Sequence, residues 1–333
     1  MIRIIAVAGP TAAGKTALAV DAAHGLGSEI ISVDSRQVYR GLDIGSGKDL
    51  DEYRRTEPPV RVHLIDVADP EETYTVFHFQ RDCYRILAAA AVREPFRSGT
   101  PMVMAGGSGL YLEAVLRGFR IPDVAEDPEL RERLMRIDRE ELAAMLRREA
   151  PERAERTDLS TRKRIVRALE IAAQEALGPV RYSAPPPVEM KVCTYVVEVE
   201  REELRRRISR RLDARLREGL VDEVRRLLDS GLPPARLRRL GLEYREVGSY
   251  LAGEKAYEEM VTDLRHGIFR FARRQEIWFR GMERRGIPVT RIGAGDVGIL
   301  RDGEDRWGEA KNIPRPANGA KEGAVATPPD RGE

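Results

Sequence analysis

The sequence predicts an α/β fold, a parallel sheet flanked by helices, with an all-helical insertion domain. Over the first 120 residues, short β-branched apolar runs alternate with helical patterns, which is typical of βαβ units. From about residue 123 the strand patterns stop, and helical patterns rich in Glu, Arg and Leu follow until 180. A strand pattern then returns at 192–199, so we expect the chain to rejoin the sheet there.

The first predicted unit is a strand at 3–8, a loop, and a helix at 15–25. The loop at 9–16 reads GPTAAGKT, a complete phosphate-binding loop of the form GxxxxGK[ST]. Its backbone N–H groups and the helix dipole attract a polyphosphate. In this motif Lys15 bridges terminal phosphates and the Thr16 hydroxyl holds Mg²⁺. The predicted phosphate-binding residues are Gly9, Pro10, Thr11, Ala12, Ala13, Gly14, Lys15 and Thr16.

The remaining elements complete a P-loop NTPase-like sheet. We predict further strands at 29–33, 63–67 and 101–105, and helices at 76–92, after 109, at 201–230 and at 254–284. The catalytic core is expected to comprise 1–122 and 188–302, interrupted by the helical insertion at 123–187. Residues 303–333 are rich in Gly, Pro, Ala and charge, which predicts a disordered tail.

Two polar side chains follow strands of this sheet. Asp34 follows the second strand, and Ser108 lies in the glycine loop at 106–109 after the fourth. Ligands bind beyond the carboxyl ends of parallel strands, so both should face the phosphate loop. Asp34 can act as a general base, or it can cap the next turn or hold Mg²⁺ through water. Ser108 can hold phosphate or leaving-group oxygens, or it can cap the following helix.

Arginines cluster in the second half of a chain whose net charge is only +2. Arg207, Arg211 and Arg215 lie beside an apolar ridge, where an arginine can reach inward to a phosphate or remain in solvent. The segment 270–280 interleaves Arg with aromatic residues, as sites for single-stranded RNA do. The alternative is that its aromatic residues belong to the core.

The composition excludes several classes of protein. The two cysteines have no metal-type or disulfide spacing, and no apolar run is long enough to span a membrane. The N-terminus leads directly into a strand, so we expect no signal peptide. These features predict a cytoplasmic protein without a membrane partner.

Several motifs together resemble one family, the tRNA dimethylallyltransferases. Beyond the phosphate loop, the most specific is DSRQVYRGLDIG at 34–45. Shorter matches are HLID at 63–66, FQRD at 79–82, GGSGLY at 106–111, RALE at 167–170, ARRQ at 272–275 and WFR at 278–280. The resemblance is collinear from about residue 4 to 292, nearly the whole ordered chain.

The resemblance implies transfer of a dimethylallyl group from its diphosphate to N6 of adenosine 37, next to the tRNA anticodon. The phosphate loop then binds the diphosphate leaving group, with Mg²⁺ as cofactor. It implies Asp34 as general base, and Arg211 and Ser108 as further catalytic residues. The insertion is implied to clamp the anticodon stem, and we expect a monomer. The implied tRNA contacts are Asp34, Ser35, Arg36, Gln37, Arg164, Arg167, Tyr244, Arg245, Arg270, Arg273, Arg274 and Gln275.

The sequence departs from the family pattern at five places. Ala13 replaces a common Ser, which leaves the backbone cradle intact, and Asp49 replaces a frequent Pro. The segment 161–164 lacks the usual Asp-Pro-Gln before its Arg. The segment 241–245 is two residues longer than the usual Gly-Tyr-Arg, and Ile268 and Phe269 replace a common Thr. These changes concern RNA contacts more than the chemistry.

Three alternatives remain open from the sequence. A P-loop kinase of a small metabolite or nucleotide would share the loop and the aspartate after the second strand, but it needs no helix of Arg and aromatic residues. A prenyltransferase of free adenine nucleotides would need neither the insertion nor the basic helices. A non-catalytic RNA-binding module would bind RNA without depending on Asp34.

Overall fold

The computed structural model describes residues 1–301, 307 and 310–313. The strands within these residues are β1 (Ile2–Ala8), β2 (Ile30–Ser32), β3 (Val62–His63), β4 (Met102–Gly106), β5 (Met190–Val197), β6 (Thr290–Ile292) and β7 (Lys311–Ile313). The helices of the first half are α1 (Lys15–Leu26), α2 (Leu50–Arg54), α3 (Val76–Ala90), α4 (Gly109–Arg117), α5 (Pro128–Met135), α6 (Arg139–Glu149), α7 (Pro151–Arg156) and α8 (Arg162–Leu177). Those of the second half are α9 (Arg201–Glu218), α10 (Leu220–Asp229), α11 (Pro234–Leu237), α12 (Leu242–Leu251), α13 (Tyr257–Arg284) and α14 (Val297–Arg301).

The strands form one sheet in the order β3-β2-β4-β1-β5-β6, with β1 in the interior. All neighbours in this order are parallel, and β7 adds to β5 in the antiparallel direction. The β1–β5 ladder runs from the Ile2–Met190 pair to the Ala8–Val196 pair. Strands buried on both faces are continuously apolar, which explains the unbroken apolar run of β1. The predicted α/β class with a parallel sheet is confirmed.

Helices cover both faces of the sheet. Ile4 and Ala6 of β1 belong to a core formed with α3, α4 and α13. Ile5 and Val7 point to the other face and pack with α1. Because alternate residues of a strand face opposite sides, β1 fills two cores and fixes the position of the loop that follows it.

A third core joins helices α9, α10, α12 and α13 to the segment after β2. Val38 and Leu42 of that segment are fully buried among Ile208, Leu220 and Val247 of these helices. This packing brings α9 and α12 to the same edge of the sheet as the phosphate loop.

The helices α5 to α8 have a separate core that includes Leu142, Leu146 and Ile165. The segment that leads into this unit and the segment that leads out of it lie side by side, since the Asp123 amide donates to the Arg181 carbonyl at 2.8 Å. The Ser183 amide donates in turn to the Ile121 carbonyl, also at 2.8 Å.

Two predicted elements differ from the structure, and some elements of the structure were not predicted. The third strand ends at His63 instead of 67, because Leu64 (φ 62°) and Asp66 (φ 55°) turn the backbone into the left-handed region. The predicted helix at 201–230 is two helices, because Gly219 adopts φ 103° and ends α9. The helix α12 has no counterpart among the predicted elements.

The predicted disorder of 303–333 is wrong at Trp307 and at β7. Trp307 is buried, and Arg3 lies over its ring at 5.2 Å. An aromatic side chain or a strand pairing can hold individual residues in place even where the average composition is polar. Apart from Ala310, the other residues of that prediction lie outside those described. Among the described helices, none has the length and apolar character needed to cross a membrane.

We predict that Gly106→Ala destabilises the protein by about 2–3 kcal/mol, because an added methyl group overpacks the site. A Cβ at residue 106 would lie 2.0 Å from the Val33 carbonyl oxygen, which is backbone and cannot yield easily. Denaturant unfolding measures the change. Gly295→Ala is the matched control, since no atom lies within 4 Å of its Cβ position. Equal stability of the two variants would contradict the close backbone packing of β4.

Candidate active site

The phosphate loop connects the end of β1 to the first turn of α1. Gly14 immediately precedes α1 with φ 91°, a conformation that a side chain would strain. Within the loop, the Ala13 amide donates to the Pro10 carbonyl at 3.3 Å. The loop thus places its backbone at the N-terminus of a 12-residue helix, where an anion is favoured.

Lys15 lies in a strongly charged environment at this helix terminus. Its Nζ donates to the Pro10 carbonyl at 2.6 Å. Burial, and to a lesser degree the charge of Arg211, lowers the pKa of Lys15 to about 8. Asp34 and Asp49 act in the opposite direction. The predicted neighbours of the loop, Asp34 and Arg211, are therefore within electrostatic reach of Lys15.

Asp34 lies two residues after β2 and is partly buried. Its Oδ1 accepts hydrogen bonds from the amides of Arg36 at 2.7 Å and Gln37 at 3.3 Å, so the side chain caps the next turn. Within the described chain, its Oδ2 accepts no hydrogen bond. Burial raises the pKa of Asp34 despite the two amides and the charges of Arg36 and Lys15. One oxygen is thus oriented by the backbone, and the other is available to accept a proton.

Ser108 precedes α4 but does not cap it with its side chain. Its Oγ accepts instead from the Ser35 amide at 3.2 Å, which ties the loop after β4 to the residue after Asp34. The predicted convergence of Asp34 and Ser108 at one edge of the sheet is therefore present. The hydroxyl hydrogen remains available for an oxygen of a ligand.

Gln275 of α13 lies between the two glycine loops and is buried. Its Oε1 accepts from the Thr11 amide at 2.8 Å, and its Nε2 donates to the Gly107 carbonyl at 2.9 Å. Gln275 therefore holds the two loops together, and its predicted tRNA contact does not agree with this placement. The sequence contains no local signal for this bridge, because Thr11 and Gln275 are 264 residues apart.

Arg211 reaches the site from α9. Its Nη2 donates to Asp49 Oδ2 at 2.6 Å and approaches the Gly47 carbonyl at 3.4 Å. Gln37, predicted as a tRNA contact, donates to the same carbonyl at 2.8 Å. In the sequence Asp49 is only a departure from the family pattern. In the structure it is the ion-pair partner of Arg211.

The loop that contains Gly47 is held by two buried charges that sequence reasoning missed. Glu223 accepts the amides of Asp43, Ile44 and Gly45 at 2.7–3.0 Å. Lys48 is 1% exposed and donates to the carboxylates of Asp43 and Asp66 at 2.5 Å. A lysine in the glycine-rich run GSGK was the only signal available. These contacts fix the position of the loop whose Gly47 carbonyl Arg211 approaches.

The predicted tRNA contacts fall into exposed and internal groups. Arg270 and Arg273 are exposed on α13, where Arg274 lies over the 42% exposed Phe271 ring at 5.9 Å. Arg245 is also exposed. The prediction for Tyr244 is wrong, because its side chain is buried and donates to Glu223 at 2.9 Å.

Two arginines of the insertion that are predicted to contact tRNA form hydrogen bonds and ion pairs within the protein. Arg164 pairs with Asp158 and donates to Ser160. Arg167 donates to the Val124 carbonyl at 2.6 Å and pairs with Glu170 at 3.3 Å. These arginines support the fold of the insertion, and a direct tRNA contact would have to compete with these bonds.

The predicted Mg²⁺ site consists of oxygen donors at the start of α1. Within the described chain the Thr16 hydroxyl makes no hydrogen bond, and no group of three or more His, Cys, Asp or Glu side chains is arranged to hold a metal. Mg²⁺ in phosphate sites typically binds one or two protein oxygens and the substrate's own phosphates. The residues present fit such an ion, with Thr16 as the protein ligand.

We predict that the affinity for inorganic pyrophosphate falls as the pH rises through about 8, because the Lys15 ammonium then loses its proton. Above that pH the association constant should drop by about tenfold per pH unit. Calorimetric titration between pH 7 and 10 measures it. Lys15→Arg keeps its charge over this range, so it should lack the drop. An unchanged alkaline profile in Lys15→Arg would assign the titration to another group.

The chain is similar to several known proteins. The family described as IPP transferase matches residues 37–282. The chain is 43% identical over 291 residues to a Porphyromonas gingivalis protein named tRNA dimethylallyltransferase 1, covering 87% of this chain and 94% of that protein. It is 44% identical over 302 residues to a Syntrophus aciditrophicus protein of the same name, covering 91% and 97%. The crystal structure of the full-length tRNA isopentenylpyrophosphate transferase of Bacillus halodurans is similar, with a TM-score of 0.60, 32% identity, and coverage of 88% of this chain and 90% of that one.

Proposed function

The chain belongs to the IPP transferase family, that of the tRNA dimethylallyltransferases, and from this premise we propose its reaction. It transfers a dimethylallyl group from dimethylallyl diphosphate to N6 of adenosine 37, next to the tRNA anticodon. The single observation that supports this best is the placement of Lys15, Arg211 and Asp34 at one edge of the sheet, where Arg211 and Gln37 contact the same Gly47 carbonyl. Two cations suit a diphosphate leaving group, and a carboxylate suits an amine that must lose a proton.

The proposed reaction forms one bond and breaks one. N6 of the adenine attacks the first carbon of the dimethylallyl group, and the bond from that carbon to the diphosphate oxygen breaks. The bonding electrons leave with the diphosphate, whose growing charge faces Lys15 and Arg211. The surplus proton on N6 passes to Asp34 Oδ2. The backbone donors on Oδ1 keep this carboxylate oriented throughout.

Ser108 and Thr16 complete the proposed site. The Ser108 hydroxyl donates to a diphosphate oxygen while it accepts from the Ser35 amide. Thr16 would hold a Mg²⁺ ion that neutralises charge on the diphosphate. Because the phosphate loop holds a leaving group in this proposal, no ATP is consumed.

The tRNA is proposed to approach the edge of the sheet from two sides. On α13, Arg270 and Arg273 offer cations to phosphates, and the exposed Phe271 ring offers a stacking surface for an unpaired base. The helices α5 to α8 are proposed to contact the anticodon stem through its phosphates. Adenosine 37 must leave the stack of the anticodon loop to reach Asp34.

The experiment that tests this proposal is incubation of the purified protein with tRNA, Mg²⁺ and dimethylallyl diphosphate or ATP in parallel. We expect prenylated adenosine after digestion of the tRNA in the first reaction, and unchanged ATP in the second. Phosphate transfer from ATP to a small acceptor without prenyl transfer would support a P-loop kinase instead. Prenylation of free adenine nucleotides but not of tRNA would support the nucleotide prenyltransferase.

A further inference from the structure

Two arginines of α9 meet at one glycine of the site. A Cβ placed on Gly47 would lie 1.6 Å from Arg215 Nη2 and 2.6 Å from Arg211 Nη2. Both guanidinium groups therefore lie against the Gly47 backbone, where no larger residue fits. Arg211 and Arg215 are four residues apart, so consecutive turns of α9 present them on the same face.

Arg215 is partly buried, and among the described residues no salt bridge neutralises it. Within the described chain, no carboxylate is hydrogen-bonded to it, whereas Arg211 has Asp49 at 2.6 Å. Burial and the charge of Arg211 lower the pKa of Arg215, whereas the charges of Glu243 and Asp49 act in the opposite direction. Burial raises the pKa of Glu243 itself, which weakens it as a counter-ion. Two adjacent guanidinium groups with one bound carboxylate leave a local excess of positive charge.

Arg211 connects two other cations of the site, Lys15 and Arg215. Arg211 Nη2 and Arg215 Nη2 lie together at Gly47, and the charge of Arg211 also lowers the pKa of Lys15, so Arg211 is the middle member of the three. A diphosphate carries several negative oxygens over two phosphorus atoms, and it can contact more than one guanidinium. An anion bound by the phosphate loop and Arg211 would extend toward Arg215.

We propose that Arg215 is a second arginine of the diphosphate site and contacts the leaving group together with Arg211. This inference rests on the proposed function, because it assigns the anion as the diphosphate of the prenyl donor. An RNA phosphate is the competing occupant, and the experiment separates the two.

The test compares wild type, Arg215→Met and Arg210→Met. Methionine retains an unbranched helix-forming side chain and removes the charge, and Arg210 is exposed on the same helix. We expect Arg215→Met to bind inorganic pyrophosphate about 10- to 100-fold more weakly, as for loss of a charged hydrogen bond. Its KM for dimethylallyl diphosphate should rise similarly, with an unchanged Kd for tRNA. Arg210→Met should bind pyrophosphate within about twofold of wild type.

A double variant separates binding from internal charge balance. If Arg215 only neutralises Glu243, then Arg215→Met with Glu243→Gln should restore the affinity for pyrophosphate. If Arg215 contacts the diphosphate, the double variant should remain as weak as Arg215→Met. Restoration would therefore overturn the proposal, and so would wild-type pyrophosphate affinity in Arg215→Met.

The remaining outcomes are also decisive. A loss of tRNA affinity with unchanged pyrophosphate binding would assign Arg215 to the RNA. If thermal unfolding shows that Arg215→Met is not folded, Arg215→Lys replaces it and should show a smaller loss, since lysine keeps the charge but not the planar fork. A wild-type protein that binds pyrophosphate but prenylates no tRNA would refute the proposed function, while the contact of Arg215 would still be measured by calorimetry.

Discussion

Asp34→Asn should lower kcat for prenyl transfer by about 10²-fold or more, because an amide cannot accept the N6 proton. Asparagine has nearly the same shape, and its Oδ1 can still accept from the Arg36 and Gln37 amides that orient Asp34. The fold of the loop and the Kd for tRNA should therefore stay unchanged. Single-turnover transfer and a tRNA binding assay on the same preparation measure the two effects.

The matched control for Asp34 is Asp69→Asn. Asp69 also accepts a hydrogen bond, from the Arg40 guanidinium at 2.9 Å, but it is 56% exposed. We expect its kcat to remain within about twofold of wild type. A wild-type kcat in Asp34→Asn would rule out this carboxylate as the base. A parallel loss of tRNA affinity would instead indicate a structural role.

Lys15→Met should lower kcat/KM for dimethylallyl diphosphate by about 10²–10³-fold, as removal of one preorganised donor to a developing oxyanion does. The physical reason is the loss of the cation that lies closest to the phosphate loop. Affinity for tRNA should be unchanged, because Lys15 lies within the loop and donates to Pro10. Initial rates at varied donor concentration measure the effect.

Lys191→Met is the control for Lys15→Met. Lys191 lies near the start of β5, paired with Arg3, and thus at the opposite end of the sheet from the phosphate loop. It should leave kcat/KM unchanged within about twofold. If Lys15→Met retained the wild-type kcat/KM, the phosphate loop could not be the site of the diphosphate.

Much of the site was predictable because its parts follow strands directly. The P-loop follows β1, Asp34 lies two residues after β2, and Ser108 lies two residues after β4. Because the carboxyl ends of parallel strands lie at one edge of the sheet, the strand patterns were enough to predict that the P-loop, Asp34 and Ser108 lie near one another. The prediction was wrong for the end of the third strand, because the backbone turns at Leu64 and Asp66. The Asp66 carboxylate there pairs with the buried Lys48.

Contacts between distant segments could not be predicted. Nothing in the sequence near Gln275 shows that it joins Thr11 to Gly107, or that Glu223 holds the amides at 43–45. Such bonds depend on the packing of α9, α10, α12 and α13 with the segment after β2. The position of Arg215 against Gly47 has the same origin, since the α9 pattern alone left Arg207, Arg211 and Arg215 equivalent.

The central claim is that this chain prenylates tRNA next to the anticodon. Its most direct test is mass spectrometry of tRNA nucleosides from a strain that lacks this gene and has no second gene of the family. We predict that prenylated adenosine is absent, returns with the wild-type gene, and does not return with Asp34→Asn. Prenylated adenosine at the wild-type level in the deletion strain would contradict the account.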